Sequence, residues 1–143
     1  MYYPIKIQKL ADHEFLATCR DIPECLYKGE SLEQVQEFAG EALPGALELF
    51  YRRKRKAFPL PTAAQPGEIP VFVPLKVQAK IMFWNFLSTN GIKASEAARR
   101  LGVTQTQVQR MVDLSQDKAS LESIEEALEV FGARFTLTLE KEP

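Results

Sequence analysis

Residues 94–114 read ASEAARRLGVTQTQVQRMVDL, and no other stretch restricts the fold so tightly. Ala97, Ala98 and Leu101 fall at helical spacing on one side of a first helix, and Val108 and Met111 do the same in a second. Between them stands Gly102, which can take the positive φ of a sharp inter-helix turn without a Cβ penalty. Ala98 is small where the helices would cross. Thr104 followed by Gln107 has the S/T-x-x-E/Q form of a capping box, so a new helix can start directly after the turn. The expectation is a helix-turn-helix.

The second helix is polar on its other side. Gln105, Thr106, Gln109 and Arg110 point away from Val108 and Met111. Gln can pair bidentately with adenine and Arg with guanine in the major groove, and a recognition helix reads bases from its N-terminal turns. Thr104, Gln105, Thr106, Gln107, Gln109 and Arg110 are therefore the candidate DNA-contacting residues. The plain alternative is an αα-hairpin with a solvated Gln-rich face. The stretch also resembles the lambda-repressor-like helix-turn-helix family, with Ala98, Gly102, Val103, Val108 and Met111 at that family's offsets.

Charge is distributed in blocks that the net value of -1 conceals. Residues 1–51 hold four basic and nine acidic side chains, residues 52–56 are RRKRK, residues 76–110 hold six basic and one acidic, and residues 111–143 hold three basic and eight acidic. A basic segment around the helix-turn-helix suits phosphate contact. The acidic front block calls for a partner other than nucleic acid, one that is basic. The chain has 143 residues, room for one ordinary domain or two small ones, and its 45% hydrophobic content suits a folded soluble protein. Cys19 and Cys25 are too few for a disulfide framework and lack metal-site spacing, so they read as buried thiols of a cytoplasmic protein. His13 is the only histidine. No metal and no cofactor is expected, and neither a signal peptide nor a membrane span is read in the chain.

Along the front half, Tyr3, Ile5 and Ile7 alternate within an expected strand Tyr2–Leu10, which pairs through a turn at 11–14 with a strand Phe15–Arg20 carrying Phe15, Ala17 and Cys19 on one face. Pro23 breaks the pairing, and 25–28 form a short third strand ending at Gly29. Ser31 caps a helix, with Gln34 reciprocal, whose apolar stripe is Leu32, Val35, Ala39, Ala42, Leu43, Ala46 and Phe50; Glu48 falls with the polar remainder. Pro44-Gly45 should kink it, and Arg52–Lys56 should close it, cations complementing the helix dipole. The RRKRK run also admits two other readings, an extra phosphate contact or a solvated patch. Residues 58–70, with Pro59, Pro61, Pro66 and Pro70, read as an extended loop, and 69–75 as a strand that joins the sheet. A helix at 76–88 should bury Val77, Ile81, Trp84 and Leu87; a last helix at 121–131, capped by Ser120, should stop at Gly132.

The tail, Arg134–Glu140, alternates Phe135, Leu137 and Leu139 with threonines, a two-faced strand pattern. A helical unit offers it no sheet, and a lone strand leaves backbone groups unpaired. The economical partner is the same strand of a second copy, so Phe135, Leu137 and Leu139 are the candidate dimerisation residues. The alternative is packing on the chain's own sheet. A dimer, or a larger homo-oligomer, would read two half-sites about one duplex turn apart.

From Pro4 through Leu75 the chain resembles the HicB antitoxin family. The resemblance rests on Tyr3-Pro4-Ile5, Asp21-Ile22-Pro23-Glu24, Gly29-Glu30-Ser31, Pro59-Leu60-Pro61 and Val73-Pro74-Leu75, in that order, with a repressor-type helix-turn-helix behind. The RRKRK run and Pro44-Gly45 depart from it. The resemblance implies an α+β protein: a β-β-β-α-β domain over 1–75, a reduced ribonuclease-H-like sheet without its catalytic centre, then an all-α helix-turn-helix domain over 76–143 with a dimerising strand. It implies an antitoxin that neutralises a small HicA-like, RNA-cleaving toxin and represses its own operon through operator DNA. A toxin surface that binds RNA is basic, so Asp21, Glu24, Glu30, Glu33, Glu37 and Glu41 become the candidate toxin-contacting residues; a plain solvated helix face is the alternative for the glutamates. Catalysis is not expected: ribonuclease-H-type chemistry needs several inward carboxylates around metal ions, and the strands offer mostly Ile, Phe, Ala and Cys. The alternative function is a one-component repressor whose front domain binds a small-molecule effector.

Overall fold

A computed structural model describes residues 1–142. The chain forms two compact units, Met1–Pro74 and Leu75–Pro143. The first is a four-stranded antiparallel sheet with one helix, the second a group of four helices.

In the first unit, strands β1 (Tyr2–Ala11), β2 (Glu14–Cys19), β3 (Leu26–Gly29) and β4 (Glu68–Phe72) are ordered β3-β2-β1-β4. Register places Ile5 opposite Cys19 on one side and Ile69 on the other, with Tyr3 opposite Val71 and Ile7 opposite Ala17. Side chains of directly opposed residues share a face, so the alternation read in β1 and β2 converges on one apolar surface. Tyr3, Ile5, Ala17 and Cys19 on that surface are buried. Helix α1 (Leu32–Phe50) covers it with Val35, Ala39, Leu43 and Leu47, one residue per turn.

Two glycines let the helix approach. A Cβ on Gly29 would stand 2.6 Å from Val35 Cγ2, and one on Gly40 3.3 Å from Val71 Cγ1. The Ser31 hydroxyl caps the first turn by accepting from the Gln34 N–H at 3.1 Å. Gln34 Oε1 accepts from the N–H of Glu30 at 2.7 Å, one residue before the expected partner. Pro44 lies inside α1, which continues through it as one element. Leu32, read as part of the stripe, is exposed, and Leu47 takes the buried position instead.

The end of α1 departs furthest from expectation. Glu48 is 2% exposed, and its carboxylate accepts from Arg52 Nε at 2.6 Å and from Arg53 Nε at 3.1 Å. Arg52 and Lys54 bound a short 3-10 turn, and Arg55 takes the left-handed conformation with φ 58°. The basic run therefore does more than complement a dipole: its first arginine is buried with Glu48, while Arg53 to Lys56 are exposed. The loop beyond, 55–67, is tied to the sheet by polar contacts. The Tyr3 hydroxyl donates to the Pro59 carbonyl at 2.6 Å, Asp21 Oδ2 accepts from the Thr62 N–H at 2.8 Å, and Arg20 reaches Thr62 Oγ1 at 2.7 Å and Glu68 Oε1 at 3.0 Å.

The second unit contains α2 (Leu75–Thr89), α3 (Ala94–Leu101), α4 (Gln105–Val112) and α5 (Leu121–Val130). Its core joins Ala79, Phe83 and Leu87 of α2 to Ala97, Ala98, Val108, Val112, Ile124 and Leu128. Periodicity in α2 caught Ile81 and Leu87 but placed Val77 and Trp84 where Ala79 and Phe83 are more deeply buried. Gly102 caps α3 at φ 68° with no neighbour near its missing Cβ, so conformation and not space requires glycine there. The strand expected at Arg134–Glu140 does not form in the single chain: residues 133–142 have no regular structure, because the described residues of this unit include no strand to pair with. Phe135 packs against the helical core, whereas Leu137 and Leu139 are 85% and 99% exposed.

Candidate functional site

Helix α4 is held at its start by a complete capping box. Thr104 Oγ1 accepts from the Gln107 N–H at 3.1 Å, and Gln107 Oε1 accepts from the Thr104 N–H at 2.9 Å. Those two side chains are committed to the helix end, which separates them from the other four candidates. Gln105, Thr106 and Gln109 are exposed and Arg110 is half-buried. The four line one concavity of about 310 Å³, and Gln116 and Lys118 complete its wall. Sequence reasoning missed these last two. They lie beyond the end of α4 in an irregular segment, where no periodicity signals which way a side chain faces. The lining side chains are of polar type and include two cations, Arg110 and Lys118, so the surface can donate hydrogen bonds to an anionic partner.

The six acidic candidates of the first unit divide. Asp21 is occupied by Thr62. Glu24 accepts from the Tyr51 hydroxyl at 2.6 Å, and that bond holds its carboxyl below the usual range; burial and the same bond push the Tyr51 phenol up to about 12. Both are structural ties. Glu30 is exposed beside the α1 cap, and Glu33, Glu37 and Glu41 are exposed at four-residue spacing along α1, one above the other. Beside that column, Phe38 stacks on Tyr27 with ring centroids 5.4 Å apart and stays partly exposed. The structure thus brings together three glutamates and adds an aromatic pair that charge counting could not reveal.

Among the described residues, no group of three His, Cys, Asp or Glu side chains is placed to hold a metal ion. No helix is long and apolar enough to cross a membrane. Burial pushes the Cys25 thiol up to about 11 and raises Cys19 as well.

Comparison with known proteins specifies what kind of chain carries this two-unit α+β architecture. Residues 2–82 match the family described as the HicB_like antitoxin of bacterial toxin-antitoxin systems. Antitoxin HicB of Pseudomonas fluorescens is 32% identical over 86% of this chain and 84% of its own length. Antitoxin HicB 1 of Photorhabdus laumondii is 29% identical over 98% and 88%, and Antitoxin HicB of Escherichia coli K12 is 27% identical over 97% and 99%. The chain belongs to the HicB-like antitoxin family.

Proposed function

We propose that this chain is the antitoxin of a type II toxin–antitoxin pair. Its first unit, a reduced ribonuclease-H-like sheet with α1, binds and neutralises a HicA-like RNA-cleaving toxin; its second unit is a lambda-repressor-like helix-turn-helix that represses the chain's own operon. Family membership over residues 2–82 is the observation that carries the antitoxin half. The DNA-binding half is supported by α3 and α4 meeting across Gly102, and by Gln105, Thr106, Gln109 and Arg110 sharing one concave polar face.

Glu33, Glu37 and Glu41 are the proposed contact with a basic toxin. Asp21 and Glu24 act indirectly, by fixing the loop and helix end around them. Pairing of exposed Leu137 and Leu139, with Phe135 at the root of the tail, is proposed to join two copies. The decisive experiment is co-expression with the neighbouring reading frame followed by co-purification. A small basic protein, toxic alone and retained by this chain, is the expected result. Replacing Glu33, Glu37 and Glu41 by Lys should weaken that complex while DNA binding persists; unchanged toxin affinity would reduce the acidic column to a solvated face. A chain that purifies alone and binds its promoter only with a metabolite would replace the antitoxin role by an effector-responsive repressor.

A further inference from the structure

The segment after α4 is held in a way that a solvated loop does not need. Asp113 closes α4, and its carboxylate accepts from the Ser115 N–H at 2.8 Å, the Ser115 hydroxyl at 2.6 Å and Gln116 Nε2 at 3.2 Å. From α2, Lys80 reaches the same segment. It is 1% exposed, and its Nζ donates to the Asp113 carbonyl at 2.8 Å and the Gln116 carbonyl at 2.6 Å. One turn earlier on the same helix face, Lys76 Nζ donates to Asp117 Oδ1 at 2.6 Å. Residues 113–117 are therefore gripped through backbone and side chain by two lysines of another helix. Burying an ammonium group is costly unless it is fully engaged, so a buried lysine spent on a loop points to a loop whose place matters.

Its place is the far wall of the concavity. The grip sets Gln116 and Lys118 across about 310 Å³ from Gln105, Thr106, Gln109 and Arg110. We propose that Ser115–Lys118 forms the second wall of a duplex-binding cleft, in which Lys118 takes a backbone phosphate and Lys76 and Lys80 are positioning residues that hold it there. This rests on the DNA-binding reading above. Phosphate contacts fix the register of a protein on DNA, while base contacts carry sequence, so α4 reads and the gripped segment orients.

The test uses the full chain and a duplex taken from immediately upstream of the operon that encodes it, with a shuffled duplex of equal composition. Lys118→Ala should weaken both duplexes by a similar factor, about three- to tenfold, and reduce the slope of log affinity against log salt by about 1. Gln109→Ala should weaken only the upstream duplex. Lys76→Met combined with Lys118→Ala should lose no more than Lys118→Ala alone, since Lys76 acts through Lys118; a purely structural Lys76 would give additive losses. An unchanged salt slope for Lys118→Ala overturns the second wall while the Gln109 result keeps the reading alive. Additive losses overturn the positioning role. A chain that binds neither duplex removes the DNA-binding reading and this inference with it.

Discussion

Each unit buries a charge, and the two do it differently. Glu48 is satisfied by Arg52 and Arg53, four and five residues along the same chain segment. Lys80 is satisfied by carbonyls 33 and 36 residues away. The first arrangement is local: it seals the end of α1 and fixes the direction in which the chain leaves. The second is long-range, and it fixes a segment that carries Asp113 and Asp117 as a placed surface. A charge satisfied by a nearby opposite charge stabilises an element, whereas one satisfied by distant carbonyls specifies where another element goes.

Breaking the local pair should have the larger effect on stability. Glu48→Ala leaves Arg52 buried beside an empty site, and loss of one partner of a buried pair costs about 3–5 kcal/mol. Urea unfolding followed by circular dichroism checks it. Lys80→Met keeps the stem volume and leaves two carbonyls short of a donor, an expected cost of about 2–4 kcal/mol. Fluorescence of Trp84, the single tryptophan, reports that loss from within the second unit. If Lys80→Met proves costlier than Glu48→Ala, the distinction between sealing and placing fails.

A pH titration sharpens the comparison further, with a smaller effect. Glu24 is held below the usual carboxylate range by the Tyr51 hydroxyl, and Glu68 by Arg20. Groups with depressed folded values contribute stability that is complete above the ordinary range and lost as pH falls through the folded value. Both lie in the first unit, so its unfolding midpoint should fall between about pH 5 and pH 3. In the second unit, Asp117 is lowered in the same way by Lys76. Asp117→Asn should therefore remove part of the acid sensitivity that Trp84 fluorescence reports, and an unchanged acid limb would refute that contribution.

What the residues disclosed in advance follows the same division between local and distant. The capping box at Thr104, the left-handed Gly102 and the alternation in β1 and β2 are short-range signals, and they were readable as such. Glu48 was misplaced on the polar face because helix spacing treats glutamate as a surface residue, although an arginine four positions on can bury it. Gln116, Lys118 and the grip of Lys80 were invisible, since nothing in a linear pattern joins α2 to a segment more than thirty residues later. The tail was legible as a strand pattern but not as a conformation, because a strand exists only with its neighbour. Asp21 and Glu24 were picked for their charge, and only the contacts with Thr62 and Tyr51 reveal that the fold already uses them.

The two thiols offer a clock. Cys19 and Cys25 are the only cysteines, both are buried, and both belong to the first unit. With the Cys25 value pushed up to about 11, roughly one molecule in ten thousand carries its thiolate at neutral pH even before access is considered. A thiol reagent should therefore react at the rate at which that unit opens, and the second unit contributes no signal. Timed alkylation thus measures how often the front half breathes, and a bound partner that clamps it should slow the clock in proportion to its occupancy.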